Sequence, residues 1–247
     1  MLRKMMVIAL VAVLAFALIG TTGCRRVRIA DRSDVVTENE TVPLGGATTI
    51  EAEISMGVGE LTLSGESTTT SALDGTFTYG PSDWKPEIGY DVSEGTGRLR
   101  VRQTEPDLTP DLRNAQNTWD MTLAGGVPTR ISLELGVGRS AIDLRDVDVR
   151  DLSVTCGVGE TTLDLSGPRT AGMDVDIEAG VGSVTVKVPR GVGVRIAGRE
   201  DGVGHTSADG FIAQGGAWVN ESYAGPGPKI EIDLQRGVGD VTLLLVD

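Results

Sequence analysis

Apolar and polar residues alternate along most of the chain, and the alternation changes register at a recurring Gly-Val-Gly. Before Val137 every second residue is apolar, as in Ile131, Leu133 and Leu135. After it the series resumes three, five and seven residues on, with Ile142 in the middle position. A period of two is typical of a β-strand, and a slip of one residue turns the next strand over unless a bulge or corner absorbs it. The pattern predicts two strands joined by a corner whose Val points inward.

The Gly-Val-Gly unit recurs at nearly constant spacing. Units start at positions 136, 157, 180 and 202, which are steps of 21, 23 and 22 residues, and others start at 57 and 237, with a variant at Gly191. A repeat of this length holds two strands of five or six residues and two connections, so we predict coils that stack on one another. The predicted fold is an all-β, right-handed β-solenoid or β-roll of about 22-residue coils. The predicted corner glycines, chosen because glycine permits unusual backbone angles, are Gly57, Gly59, Gly136, Gly138, Gly157, Gly159, Gly180, Gly182, Gly202, Gly204, Gly237 and Gly239.

Two ligand-binding interpretations of the glycine units are disfavoured. A phosphate-binding loop leads from a strand into a helix and often carries Gly-Lys-Ser/Thr, whereas here a further strand follows each unit. A calcium-binding β-roll repeats Gly-Gly-x-Gly-x-Asp without gaps. The residue after the unit is acidic at Glu60, Glu160 and Asp240 but is Arg139 in another unit. We therefore predict no cofactor and no metal ion.

The first half of the chain is less regular. A strand is predicted around residues 72–77, and Ile88 and Tyr90 are predicted to pair with Leu99 and Val101 in a hairpin. The Pro- and Asp-rich stretch after Gln103 is predicted to be a surface loop. The sequence leaves open whether residues 47–130 and 131–247 form one stack or two.

The N-terminus has the pattern of a secretory signal. Arg3 and Lys4 precede the apolar run Met5–Ile19, and small residues lead to Cys24. Residues 1–23 are predicted to be a helical lipoprotein signal peptide, with Cys24 as the lipid acceptor. A plain secreted protein or an uncleaved anchor helix remain alternatives. Residues 24–48 are predicted to be a tether, and residues 49–247 the β-solenoid domain.

Charge and cysteine usage narrow the classes of partner. The formal net charge is −13 at pH 7, which disfavours binding to nucleic acid. The exception is the basic cluster Arg25, Arg26 and Arg28, which we expect beside lipid headgroups or in a polar tether. If Cys24 is acylated, Cys156 has no disulfide partner.

The candidates for chemistry are few, and each has a structural interpretation that we favour. His205 is expected on the surface and Cys156 in the core, where a thiol packs as a small apolar group. The carboxylate pairs Asp174/Asp176 and Glu231/Asp233 are expected on solvated strand faces. Trp84 is the aromatic residue most typical of a loop and is the best candidate for an exposed contact, although core packing is favoured.

Residues Thr118–Gly167 resemble the toast-rack domain. The shared features are a strand containing Trp, a Pro, an apolar strand and then Gly-x-Gly coils that end in a Leu-Asp-Leu type strand. The resemblance extends over roughly residues 47–247, and related domains occur in LiaF-like cell-wall-active antibiotic response proteins and in bacterial adhesins. It implies a solenoid-like fold and an envelope location, and it implies no catalytic residues.

These observations predict a non-enzymatic, membrane-anchored envelope lipoprotein that acts as a structural, adhesive or protein-interaction scaffold. The alternative is a regulatory binding module of a cell-envelope stress-sensing system. The expected location is extracytoplasmic. The expected partners are the membrane, through lipidated Cys24, and an unknown envelope protein or cell-wall component. Self-association is also expected if the last strand leaves an unpaired edge at the end of the stack.

Overall fold

The computed structural model describes residues 35–104, 115–199 and 202–247. The signal segment, Cys24 and the basic cluster after it lie outside these residues. The described chain is almost entirely β-structure, with two short 3-10 helices at Ser82–Trp84 and Glu221–Ala224. The strands are β1 Val36–Pro43, β2 Thr49–Glu66, β3 Ser71–Gly80, β4 Pro86–Ser93, β5 Thr96–Gln103, β6 Gln116–Ala124, β7 Thr129–Asp143, β8 Val149–Asp164, β9 Met173–Pro189, β10 Gly193–Arg199, β11 Thr206–Asp209, β12 Ile212–Gln214, β13 Ala217–Val219 and β14 Lys229–Val246.

Five long parallel strands, β2, β7, β8, β9 and β14, form the centre of the fold, and each runs through one Gly-Val-Gly unit. The apolar residues before and after the unit, such as Leu133 and Ile142, enter the same core. Both halves can face one core only if the strand bends at the unit. Each coil therefore has a first layer built from the strand halves before the bend and a second layer built from the halves after it. This is the predicted β-solenoid architecture.

All the central strands belong to one sheet, in the order β1-β3-β6-β2-β7-β8-β9-β14-β10-β13-β12. The two halves of the chain are thus one stack, because β2 pairs directly with β7. The last strand in sequence, β14, lies inside the stack. It pairs with β9 along one edge and with β10 and β11 along the other. The expectation that the last strand leaves an open edge for another copy is therefore wrong.

The folded part of the chain begins earlier than predicted. Residues from Val36 to Pro43, assigned to the tether from the sequence, form an edge strand that pairs antiparallel with β3. The run is polar because none of its side chains is buried, so it has no apolar face and no apolar periodicity. The predicted hairpin is confirmed in register, with Ile88 opposite Val101 and Tyr90 opposite Leu99. Most of the predicted loop, residues 105–114, lies outside the described residues.

Glycine is required at the bend by close backbone contact between successive coils. A Cβ atom on Gly157 would lie 2.1 Å from the carbonyl oxygen of Gly136. A Cβ atom on Gly159 would lie 1.8 Å from the carbonyl oxygen of Gly138, and its φ of 144° also disfavours other residues. The same backbone contacts recur at the other units except the first, where the neighbours of Gly57 and Gly59 are Gln103 and Asn117. The twelve predicted corner glycines thus lie in two columns. The variant Gly191 lies outside both columns, with no atom within 4 Å of its hypothetical Cβ.

The side of the coil opposite the bend is held by one half-buried arginine. Arg169 donates from Nη1 to the carbonyl oxygen of Val147 at 3.0 Å, and from Nη2 to those of Leu165 and Leu144 at 3.2 and 3.4 Å. Burial lowers the pKa of Arg169. The guanidinium thus links carbonyl groups of two successive turns. The carbonyl oxygens of Leu144 and Val147 also accept from the backbone amides of Val147 and Val149, so Arg169 adds a second donor to each.

Within the part of the chain that the structure describes, no helix has the length and apolar character needed to cross a membrane.

We expect Gly159→Ala to destabilise the fold by about 3 kcal/mol or more, because the new methyl group meets a backbone oxygen and the φ angle is strained. Gly191→Ala is the matched control, since its surroundings are open, and should change stability by less than about 0.5 kcal/mol. Urea unfolding followed by circular dichroism measures both. Equal midpoints for the two variants would contradict the proposed role of the glycine columns.

We expect Arg169→Met to cost about 2–3 kcal/mol, because it removes three charge-assisted hydrogen bonds that link two successive turns. Arg145→Met, which removes an exposed arginine paired with Asp143 near the same turns, should cost no more than about 1 kcal/mol. Thermal unfolding of the two variants tests the difference, and a larger loss for the Arg145 variant would refute it.

Candidate interaction surface

The valines of the Gly-Val-Gly units form an exposed line along the bend, which we call the valine ridge. Its members lie on adjacent strands in the order Val137, Val158, Val181, Val238 and Val203. Each is between 50% and 72% exposed. With adjacent strands about 4.8 Å apart, the ridge is about 19 Å long. Val58 continues the line on β2 but is half-buried.

The prediction that these valines point inward is therefore wrong. Counting back by twos from the valine correctly places Leu135 in the core, but the chain turns at the unit itself. The second glycine of each unit has φ between 133° and 150°, outside the strand region. This turn moves the valine to the convex side of the bend.

The concave side of the bend contains small residues around Cys156. The thiol is partly buried against the core next to Thr161, and the neighbouring strands contribute Ala179 and Ser140. Burial raises the pKa of Cys156, with a smaller opposite effect from a hydrogen bond to Thr161. Cys156 is therefore a packing residue with little thiolate at neutral pH.

Side chains close both ends of the bend, and none of them was identified from the sequence. At β2, Gln103 Oε1 accepts from the backbone amides of Gly57 at 2.8 Å and Val58 at 2.9 Å. Asn117 Nδ2 donates to the carbonyl oxygen of Val58 at 2.7 Å. Beyond β2, strand β5 continues the first layer and strand β6 continues the second, so no single strand runs through the bend there. The side chains of Gln103 and Asn117 therefore occupy the place of the next coil.

At the other end, Arg236 stands where the preceding strands carry an apolar residue. Its Nη1 donates to the carbonyl oxygen of Gly204 and to Thr206 Oγ1, each at 3.1 Å. Its Nη2 donates to the carbonyl oxygen of Gly202 at 3.3 Å. Arg236 thus holds the sixth unit, residues 202–204, against β14. The break in the apolar series at Arg236 is the one signal that sequence reasoning could have used.

The outer face of the first layer changes character along the stack. On β5, Arg98 Nε lies 3.2 Å from Glu51 Oε2, and Arg100 Nε lies 3.5 Å from Glu53 Oε2. Farther along, carboxylates of β9 face carboxylates of β14 across the strand pair. The facing pairs are Asp174 with Glu231 and Asp176 with Asp233. Of these four carboxylates, Glu231 also lies 3.5 Å from Arg195 Nη1 on β10. This face is therefore charge-balanced at one end and has an excess of carboxylates at the other.

The outer face of the second layer carries hydroxyl groups. Thr162, Thr185 and Thr242 lie in one row on adjacent strands, four residues after the valines of the ridge. All three are partly exposed. The row shows that an exposed position on these strands is readily filled by a β-branched polar residue.

The structure does not bring the candidates for chemistry together. His205 is exposed, while Cys156 lies on the inner side of the bend three strands away, which is about 14 Å. A nucleophile and its base must be within about 3 Å. The paired acids lie on the solvated face, and Trp84 is buried rather than an exposed contact. Residues 35–104, 115–199 and 202–247 contain no group of three potential metal ligands.

We expect Cys156 to react slowly with iodoacetamide at pH 8 in the native protein, because its raised pKa leaves little thiolate and the packing blocks access. Urea should increase the rate to that of a free thiol. The exposed variant Val181→Cys is the matched control and should be modified quickly at its new site. Peptide mass spectrometry resolves the two positions, and rapid native labelling of Cys156 would contradict this placement.

Comparison with known proteins agrees with this geometry. Residues 31–187 match the family described as "N-terminal domain of toast_rack, DUF2154". A crystal structure of a "putative cell adhesion protein" from Clostridium sporogenes is 34% identical, with a TM-score of 0.82, and the match covers 86% of this chain and 100% of that one. A "putative adhesin" from Bacteroides fragilis is 17% identical with a TM-score of 0.30, over 85% and 97% of the two chains. No curated protein matches the chain. On the family match and the close structural relative, the chain belongs to the toast-rack family.

Proposed function

We propose that this protein is a non-enzymatic scaffold of the cell envelope, with an adhesive or protein-binding role and a lipid anchor on Cys24. The observation that supports it most is the single continuous stack, which presents rows of exposed side chains on rigid strands. Such a body suits contact with an extended partner, because its flat faces need little reordering on binding.

The similarity to a protein named as a cell adhesion protein supports the adhesive role. The identity of 34% extends over the whole of that chain, so the two share the full domain and not one motif. The exposed His205 and the partly buried Cys156 provide no paired nucleophile and base, which favours binding over catalysis.

The proposed anchor combines the signal-like N-terminus with the position where the fold begins. Eleven residues separate Cys24 from Val36, the first residue of β1. An extended chain of that length spans at most about 40 Å. A lipid on Cys24 would therefore hold the domain close to the membrane surface, in an extracytoplasmic location.

The anchor is tested by metabolic labelling of bacteria with an alkyne fatty acid. We expect label on the wild-type chain in the membrane fraction, and neither label nor membrane retention for Cys24→Ala. Cys156→Ala is the matched control and should keep both. Membrane retention of the Cys24 variant without label would favour an uncleaved anchor helix and overturn the lipoprotein assignment.

The scaffold role is tested by crosslinking in cells with a photoreactive residue at Thr162, on the hydroxyl face, followed by mass spectrometry. We expect capture of an envelope protein or of cell-wall material, with loss of capture when Cys24→Ala releases the chain. Capture of a membrane sensor kinase as the main product would replace the adhesive role with the regulatory one.

A further inference from the structure

The valine ridge is chemically distinct from the rest of the exposed surface. Its five apolar side chains lie in line on adjacent strands, whereas other exposed large apolar residues, such as Val36, Val92 and Ile212, lie apart from it on other strands. A continuous exposed apolar strip on a soluble domain is typical of an interaction site.

The fold alone does not account for valine at these positions. The bend requires the flanking glycines, but the valine between them is at least half exposed, so burial does not exclude a polar side chain at this position. Threonine shares the branched shape and the strand preference of valine. The same strands use threonine at partly exposed positions such as Thr162 and Thr185, four residues later. Valine in every unit of the ridge therefore indicates a requirement for apolar contact.

Acidic side chains border the ridge on both sides. Glu134 and Glu178 lie three residues before their own valines, and Glu60, Glu160 and Asp240 lie two residues after theirs. All five are exposed. Arg139 is the one cation in these two rows, and its Nε lies 3.4 Å from Glu160 Oε2, so the pair is neutral. With that pair neutral, the negative charge comes from Glu134 and Glu178 on one side and from Asp240, with Glu60 beside Val58, on the other; the remaining positions of the two rows include uncharged residues such as Thr155 and Ser183. Both borders of the ridge therefore have a net negative charge.

This charge pattern selects among the possible occupants. An anionic membrane or a nucleic acid would be repelled by the borders. A second copy of the chain would bring the same acidic rows against them. A cationic polypeptide with an apolar stripe satisfies both features, because its basic residues meet the carboxylates while its apolar residues cover the valines.

We propose that the valine ridge is a docking site for a cationic polypeptide segment with a line of apolar residues. The segment spans about 19 Å, which is about six residues if it is extended and about 13 if it is helical. The inference deepens the proposed scaffold function by naming a surface and the chemistry of its partner. It does not depend on the lipid anchor.

The test uses the full chain, reconstituted in nanodiscs of phosphatidylcholine and labelled in its valine methyl groups for NMR. The probe is a seven-residue peptide of alternating Lys and Val, and the matched probe replaces Lys with Glu. We expect saturable shifts of the ridge methyls with the Lys peptide only, weakening as salt is raised. Equal shifts with the Glu peptide, or shifts spread over Val36 and Val92, would overturn the proposal.

Two variants, each with a matched control, separate the contribution of apolar contact to peptide binding from that of charge. Val158→Thr, Val181→Thr and Val238→Thr together should weaken peptide binding about tenfold, measured on Val137 and Val203 and by fluorescence anisotropy. The matched control, Val36→Thr with Val92→Thr and Ile212→Thr, should leave binding unchanged.

Glu134→Gln with Glu178→Gln should also weaken binding and reduce its salt dependence. Asp174→Asn with Asp233→Asn removes the same charge away from the ridge and should have a much smaller effect.

Further measurements identify a different occupant. Relaxation of the ridge methyls by spin-labelled lipid, without peptide, would assign the ridge to the membrane. Shifts that depend on protein concentration would assign it to a second copy. Tighter peptide binding by a variant with Arg25→Gln, Arg26→Gln and Arg28→Gln would assign it to the chain's own basic segment. Each result would overturn the proposal, and none of them bears on fatty-acid labelling of Cys24.

Discussion

The contact between one backbone and the next at the bend is the constraint on which the rest of the structure depends. A carbonyl oxygen of each coil lies where a side chain of the following coil would otherwise begin, as between Gly136 and Gly157. Sliding a strand by one residue would move a side chain into that space. The glycine columns therefore fix the register of the parallel strands. The alternation of apolar residues alone would still allow a shift of two residues, because such a shift keeps each side chain on the same face of the sheet.

A fixed register turns sequence positions into surface rows. Residues at the same distance from each Gly-Val-Gly lie side by side, so the position three residues after the valine belongs to the core and the position four residues after it to the hydroxyl face. The valine ridge, the threonine row and the carboxylates of β9 and β14 are consequences of one register. Each coil contributes one residue to each row, and the chain can change one row without disturbing the others.

The local features of the fold could be predicted from the sequence because they depend on neighbouring residues. The period-two pattern on both sides of Val137 identified the strands, and the slip between them identified the bend. The direction of the valine could not be obtained in this way, because it depends on the φ angle of the next glycine. The position of β14 inside the stack was also inaccessible, since it results from pairing between strands far apart in sequence. The strand from Val36 to Pro43 was missed because an edge strand with no buried side chain shows no apolar periodicity.

The two ends of the bend show how a repeating structure is made finite. An interior coil pairs its backbone groups with the coils on either side, so each end leaves groups that need another partner. At β2 the partners are Gln103 and Asn117, and beyond β14 Arg236 holds the last unit. At both ends, polar side chains bond to backbone groups that another coil would otherwise satisfy. The length of the valine ridge is then set by the number of coils between these two caps, and an added coil would lengthen it by about 4.8 Å. A surface whose length is set in this way can be matched to a partner by changing the number of repeats, with no new fold required.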